Sequence, residues 1–187
     1  MRRLKQIPAE GVLLFEDETV LRWFPLLRRA WGLRGEPLRI GITGRNAKRV
    51  LFGALNPRTG HHLLQQAPNL KQLHFQSFLR LLRRAYREQP IWLLLDEAPC
   101  HIAPRSQTLA RQLTIELLWL PKQCSELNAM DQLWREMKGN ISANYQHPTI
   151  EAHVTFAQAW LMSLTATEAK RKAGLLSKNF WLQSFFK

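Results

Sequence analysis

Cysteine is scarce in this sequence, and long apolar runs are missing from it. The two cysteines, Cys100 and Cys124, stand 24 positions apart without a CxxC pair. This excludes a disulfide scaffold and a zinc site built from cysteines, and it favours a reducing cytoplasm. No stretch approaches the roughly 18 apolar residues of a membrane-spanning helix, and the basic first residues lead into no signal-peptide core. We therefore expect no membrane partner.

Acidic residues are also few. The 187 residues include 27 Lys plus Arg against 14 Asp plus Glu, which gives a formal net charge of +13. Such an excess predicts a polyanionic partner, above all nucleic acid, with an anionic membrane surface as the weaker alternative. A hydrophobic share of 45% and a charged share of 22% indicate a globular chain with one sizeable core.

Aspartate is much rarer than glutamate. Of the 14 acids, eleven are glutamates and three are aspartates, namely Asp17, Asp96 and Asp131. Each aspartate lies inside or beside an apolar segment, where a carboxylate is costly unless something pairs with it. This placement marks the three aspartates as candidate site residues.

The first part of the chain has the pattern of β-strands. Alternation places Leu13, Phe15 and Asp17 on one face of a strand. Turn residues separate the segments, so that a short antiparallel meander is expected. The predicted strands cover residues 11–20, 38–43 and 50–55.

The later part alternates helices with short apolar strands, which implies a mixed sheet with helices on its faces. Helices are predicted over residues 71–89, 104–113, 130–141 and 149–164, and buried strands over residues 91–95 and 115–120. A capping box at Thr165 and Glu168 opens a further short helix. The aromatic tail is expected to pack on the core or to form a dimer contact; it comprises Phe180, Trp181, Phe185 and Phe186.

The three aspartates are expected to converge at one edge of this sheet. Asp96 follows a buried strand, where open α/β sheets place their chemistry, and Asp131 begins a helix near Arg135 and Lys138. Carboxylates bind hard cations such as Mg²⁺, and two such ions can activate water and stabilise a leaving 3′-oxygen.

Three motifs carry a resemblance to a known family. They are residues 15–19 (FEDET), 93–101 (LLLDEAPCH) and 120–138 (LPKQCSELNAMDQLWREMK). They resemble the catalytic motifs of bacterial insertion-sequence transposases, in the superfamily that includes the mariner elements. The resemblance implies an RNase H-like α/β fold over residues 11–164, after a basic lead-in of residues 1–10 and before a C-terminal segment of residues 165–187. It also implies an acidic triad, and the 34 residues between Asp96 and Asp131 match the spacing of the mariner-like branch.

The same resemblance implies the chemistry and the partners. Asp17, Asp96 and Asp131 would bind two Mg²⁺ or Mn²⁺ ions and cleave phosphodiester bonds at transposon ends before strand transfer into target DNA. The partners would be double-stranded DNA and a second copy of the chain, at the bacterial nucleoid. Two departures stand out: Asp131 occupies a position where most relatives have glutamate, and Glu97 one where asparagine is common.

Several residues near the three aspartates have two possible roles each. His101 either contacts phosphate or caps a loop, and Arg135 and Lys138 either steer the DNA backbone or are ordinary surface charges. Trp134 is expected in the core. Two sets are expected to be solvated: an acidic rim of Glu16, Glu18 and Glu97, and a basic helix face of Arg80, Arg83, Arg84 and Arg87.

Two alternatives to a transposase remain: a stand-alone RNase H-like nuclease and an inactive, basic DNA-binding remnant. The lead-in before Asp17 is too short for a helix-turn-helix module. The chain is therefore expected to be the catalytic half alone, either truncated or normally joined by frameshifting to an upstream reading frame that encodes the helix-turn-helix partner.

Overall fold

A five-stranded mixed sheet forms the centre of the chain in the computed structural model, which describes residue 4, residues 7–8 and residues 10–183. The strands are β1 (Val12–Arg22), β2 (Lys48–Leu55), β3 (His62–Ala67), β4 (Ile91–Leu95) and β5 (Ile115–Trp119). They lie in the order β3-β2-β1-β4-β5. The first three strands are antiparallel, whereas β4 runs parallel to both β1 and β5.

Helices cover both faces of the sheet. On the face that we call the back lie α1 (Gln72–Ala85), α2 (Pro99–Ile102) and α3 (Pro104–Gln112). On the front lie α4 (Ala129–Ile141), α5 (Ile150–Met162) and α6 (Ala166–Lys172). Each face buries its own apolar cluster, as expected for helices packed on a sheet.

The alternation predicted for the first strand is confirmed. Leu13 and Phe15 belong to the front cluster, whereas Val12 and Leu14 belong to the back cluster. Because successive side chains of a strand point to opposite faces, Asp17 lies on the front, and the glutamates on either side of it lie on the back.

The third strand of the meander is not the one predicted from the sequence. Residues 38–43 form no strand and are largely exposed, whereas β3 covers His62–Ala67. Leu38 and Ile42, two of the apolar side chains of this segment, are 56% and 55% exposed, so no burial against a sheet face stabilises a strand there. β3 lacks clear alternation because it is an edge strand whose glutamines stay partly in solvent.

The other elements lie close to their predicted positions. Thr149 caps α5, and the capping box of Thr165 and Glu168 opens α6. Phe180 and Trp181 pack on Phe15, with ring centroids 6.0 and 6.4 Å from it. Packing of the aromatic tail on the core is therefore confirmed for these two residues, while Phe185 and Phe186 lie outside the described residues.

One arginine of the predicted basic helix face has a structural role instead. Arg83 Nη1 donates to the backbone oxygens of Tyr86, Arg87 and Gln89, and its Nη2 donates to that of Thr114. Arg83 thus ties the end of α1 to the start of β5. Arg80, Arg84 and Arg87 are exposed, as expected.

A long connection without helix or strand joins β1 to β2. This β1–β2 arm (residues 23–47) carries large apolar side chains in solvent: Trp31 is fully exposed, and Leu27 and Leu33 are 72% and 73% exposed. Among the described residues, no helix is both long and apolar enough to cross a membrane.

Candidate active site

The structure brings the three predicted aspartates together. Asp17, Asp96 and Asp131 line one cleft of about 440 Å³, at the edge of the sheet where β4 and β5 end. Glu97, Asn128 and the loop of residues 120–125 complete its wall. Residues that lie far apart in the sequence therefore face one space, which is open to solvent and large enough for a phosphate group.

Helix α4 packs closely on the sheet beside Asp17. In the β1–β2 pair Asp17 stands opposite Gly53. A Cβ atom at Gly53 would come within 2.5 Å of Met130 Cε and 2.6 Å of Trp134 Cζ2. Only glycine therefore leaves room for α4 to lie against the sheet here. Trp134 is 2% exposed, which confirms the core position expected for it.

Asp131 is placed by the residue that begins its helix. It lies in the first turn of α4, where Asn128 is the N-cap and accepts a hydrogen bond from Met130 N. The Asn128 amide also donates to the backbone oxygen of Glu16 at 2.7 Å. One side chain thus starts α4 and fixes that start to β1, next to Asp17.

Asp96 is held through one of its two carboxylate oxygens. Its Oδ1 accepts hydrogen bonds from Ala98 N at 2.9 Å and from His101 Nδ1 at 3.0 Å. The hydrogen bond from His101 lowers the pKa of Asp96, so the carboxylate is charged at neutral pH. Its side chain is 57% exposed and remains accessible to a ligand.

The cleft concentrates negative charge. Burial, followed by the neighbouring carboxylates of Glu18 and Asp131, raises the pKa of Asp17 to about 8. Lys138 lies nearby and half-buried; burial lowers the pKa of Lys138, while Asp17 and Asp131 oppose that shift. The part of this shift that comes from neighbouring carboxylates reflects repulsion, which a bound cation would relieve.

Two cations stand at the rim of the cleft. Arg135 Nη2 lies 2.6 Å from Asp131 Oδ2, and Lys122 Nζ lies 3.3 Å from Glu97 Oε2. The arginine side chain is 54% exposed, and ion pairs in such positions contribute little stability. Arg135 can therefore leave Asp131 at low cost when a metal ion or a phosphate competes for either side chain.

The predicted acidic rim is wrong for Glu16 and largely wrong for Glu18. Glu16 is fully buried, and the Glu18 side chain is 11% exposed, because both point to the back of the sheet. His101 is fully buried between them and Asp96. This burial argues against the phosphate contact considered for His101. Glu97, by contrast, is exposed and lines the cleft as expected.

Sequence reasoning gave no role to two residues that shape the site, Asn128 and Gly53. An asparagine directly before an apolar helical stripe is a typical N-cap, so Asn128 could have been found. A glycine inside a strand indicates a close approach, although the sequence does not say of what.

The donor atoms of the cleft suit hard divalent cations. The three aspartates present carboxylate oxygens, the ligands that Mg²⁺ and Mn²⁺ prefer. A second group of possible ligand atoms, from Glu18, Cys100 and His101, lies within 4.8 Å of one another on the back of the sheet. None of these three residues lines the cleft, although His101 contacts the cleft-lining Asp96 from behind.

Comparison with known proteins finds a matching family and a related sequence. A family model described as DDE superfamily endonuclease matches residues 12–153. The insertion element IS630 uncharacterized 39 kDa protein of Shigella sonnei is 27% identical over 147 residues, which cover 78% of this chain and 43% of that protein. The chain thus spans less than half the length of this curated relative.

Solved structures share the fold. The chain is similar to Mos1 transposase in a paired-end complex with the left transposon end, with a TM-score of 0.71 and 18% identity over 100% of this chain and 59% of that one. The mariner Mos1 paired end complex with Mg gives the same TM-score of 0.71, 18% identity and coverage of 100% and 59%. These likenesses confirm the RNase H-like mixed sheet expected from the sequence.

Proposed function

Because the chain belongs to the DDE superfamily endonuclease family, we propose that it is the catalytic domain of a DNA transposase. It would hydrolyse a phosphodiester bond at each transposon end and then join the freed 3′-hydroxyl to target DNA. The observation that carries this proposal is the cleft shared by Asp17, Asp96 and Asp131. The solved complex of Mos1 transposase with a transposon end supports DNA as the substrate.

The proposed cofactors are two Mg²⁺ or Mn²⁺ ions, held by the three aspartates. The carboxylate oxygens that line the cleft support bound cations there. When bound, the ions would supply the Lewis acidity that activates a water molecule and stabilises the leaving 3′-oxygen. Water and then the 3′-hydroxyl would be the nucleophiles, so we expect no covalent bond between protein and DNA.

Positive side chains at the cleft would orient the DNA backbone. Lys138 lies close enough to Asp17 and Asp131 to interact with both carboxylates, and Arg135 pairs with Asp131 from the rim. Each would place positive charge beside a phosphate held in the cleft. The net charge of +13 supports duplex binding over a wider surface.

We also propose that two copies of the chain act together on DNA. The exposed apolar side chains of the β1–β2 arm, among them Leu27, Trp31 and Leu33, support this proposal. Apolar groups in such number on a surface usually mark a contact with another protein. Light scattering should show that the chain changes from a monomer to a dimer when duplex DNA is added. We expect this change to be lost in Trp31→Ala.

Recognition of the transposon ends is proposed to come from a helix-turn-helix partner. The basic surface of this chain would contact phosphates without reading bases. Since the substrate is DNA, the place of action would be the bacterial nucleoid.

The proposal is tested by reacting the chain with labelled transposon-end duplexes and a target plasmid in Mg²⁺ or Mn²⁺, with chelator and with Zn²⁺ alone as controls. Cleavage and joined products, both lost in chelator and absent with Zn²⁺ alone, would support a transposase. Cleavage without joining would indicate a stand-alone nuclease. DNA binding with no cleavage in any metal would indicate an inactive remnant.

A further inference from the structure

Behind the cleft lies a buried cluster whose charges the proposed chemistry does not use. It consists of Glu16, Glu18 and His101, and the two glutamates belong to the same strand as Asp17 but point to the opposite face. Burying two carboxylates is costly unless they interact with a positive or donating group. The His101 ring faces both glutamates, so its interactions are the ones to consider against this cost.

We infer that His101 is a positioning residue, which holds the Asp96 carboxylate through its Nδ1–H while Glu16 and Glu18 hold the other side of the ring. The inference rests on the proposed function, because Asp96 is one of the proposed metal ligands.

The hydrogen atom on Nδ1 is assigned by the neighbours of that nitrogen. His101 Nδ1 lies 3.0 Å from Asp96 Oδ1 and 3.1 Å from the backbone oxygen of Asp96. A backbone oxygen can only accept a hydrogen bond, so Nδ1, which lies between it and the carboxylate oxygen, must carry the hydrogen. His101 thus donates toward the cleft-lining aspartate.

The opposite nitrogen of the ring faces the two buried glutamates. His101 Nε2 lies 3.4 Å from Glu16 Oε2 and 3.4 Å from Glu18 Oε2. Within the described residues neither these oxygens nor Nε2 has a hydrogen-bond partner, so their contact is electrostatic. The two glutamate side chains therefore enclose the ring from behind, while Asp96 accepts its hydrogen bond in front.

Packing leaves the ring little freedom. His101 is fully buried, and its ring centroid lies 4.4 Å from that of Phe75 on α1. The residue also belongs to α2, the short helix that directly follows the loop of Asp96. A donor fixed in this way can fix its acceptor, although the Asp96 side chain is itself 57% exposed.

The hydrogen bonds to Asp96 determine which of its two carboxylate oxygens can bind a metal ion. The hydrogen bonds to the Asp96 carboxylate from described residues all end on Oδ1, from Ala98 N and from His101 Nδ1. Oδ2 is left for a cation in the cleft. Partners that orient a metal-binding side chain typically change metal affinity 10- to 100-fold when they are removed, roughly the effect we expect here.

Two amide substitutions separate the two sides of the ring. In His101→Asn the side-chain amide can occupy the place of Nδ1 and still donate to Asp96. In His101→Gln it can occupy the place of Nε2, toward Glu16 and Glu18, and the donor to Asp96 is lost. The two variants therefore differ mainly in whether the side chain at position 101 donates a hydrogen bond to Asp96.

The first measurement is Mn²⁺ affinity by titration calorimetry, on wild type, on the two variants and on Asp96→Asn. We expect His101→Asn to stay within about threefold of wild type and His101→Gln to lose about tenfold or more. Thermal unfolding without metal serves as the control for packing. Wild-type affinity in His101→Gln, or equal losses in both variants, would overturn the inference.

The second measurement needs no metal. In the metal-free protein, ¹⁵N NMR should show a protonated Nδ1 on His101 whose hydrogen exchanges slowly with solvent and whose signal shifts in Asp96→Asn. An unprotonated Nδ1 would overturn the inference. Absence of Mn²⁺ binding by the wild-type chain would instead overturn the proposed function, so the two failures are distinguishable.

Discussion

The side-chain amide of Asn128 donates a hydrogen bond of 2.7 Å to the backbone oxygen of Glu16, 112 residues earlier in the chain. The bond joins the start of α4 to the middle of β1. Asp17 is the next residue on that strand, and Asp131 lies in the first turn of that helix. The relative position of two proposed metal ligands therefore depends on one asparagine.

Replacing this asparagine tests its role. Asn128→Ala removes both a helix cap and a buried hydrogen bond, so we expect a loss of about 2 kcal/mol in the free energy of unfolding together with weaker Mn²⁺ binding. Thr149→Ala is the matched control, because Thr149 caps α5 away from the cleft through Ala152 N. It should cost about 1 kcal/mol and leave Mn²⁺ binding unchanged. Equal effects on binding would argue against the asparagine link.

Gly53 is expected to tolerate no side chain. Gly53→Ala would place Cβ against Met130 and Trp134, so we expect destabilisation of about 1–3 kcal/mol by overpacking. Gly32→Ala is the control, since a Cβ there meets nothing within 4 Å. Chemical denaturation of both variants measures the difference. Equal stability would mean that α4 has room to move away from the sheet.

The raised pKa of Asp17 predicts a pH dependence of stability. The folded chain binds a proton at this carboxyl with a pKa of about 8, above its ordinary value of 3.8. The proton bound to Asp17 stabilises the folded chain relative to the unfolded chain at low pH. This stabilisation is lost as the pH rises toward about 8. Without metal, the melting temperature should therefore fall more steeply between about pH 5 and about pH 8 in wild type than in Asp17→Asn. Parallel curves would contradict this assignment.

DNA binding should be strong at low salt and nearly independent of sequence. Phosphate contacts release counterions, so affinity for duplex DNA should fall steeply with salt concentration. Lys138→Gln should reduce the slope of log affinity against log salt concentration by about one, the value for one lost phosphate contact. Arg84→Gln, on the back of the sheet, should leave this slope unchanged. Competition between terminal-repeat and random duplexes at two salt concentrations measures both effects. A preference of about a thousandfold for the repeat would show that end recognition resides in this chain.

The sequence was sufficient for the parts of the fold that have a clear periodicity. The alternation from Leu13 to Asp17 and the apolar run 91–95 both predicted strands that the structure contains. The strand predicted for residues 38–43 is wrong because Leu38 and Ile42 stay exposed, and the local apolar pattern does not show whether a sheet face will bury it. The edge strand β3 was missed because partly exposed edges do not require alternation.

The site was predictable only in part, for a similar reason. The three aspartates stood out because carboxylates are rare beside apolar segments. The sequence did not indicate that Glu16 points away from the cleft into a fully buried cluster with His101. That arrangement depends on how α2 packs against β1, which joins residues about 85 positions apart and leaves no local pattern.

Mn²⁺ titration of wild type and of the three Asp→Asn variants tests the central claim, that Asp17, Asp96 and Asp131 form one metal site. Asparagine keeps the shape of aspartate and removes its charge, so each variant should remain folded by circular dichroism and lose at least about tenfold in affinity. Glu97→Gln, at the exposed rim, should have a smaller effect. Near-wild-type affinity in any one of the three aspartate variants would contradict the claim and remove that residue from the site.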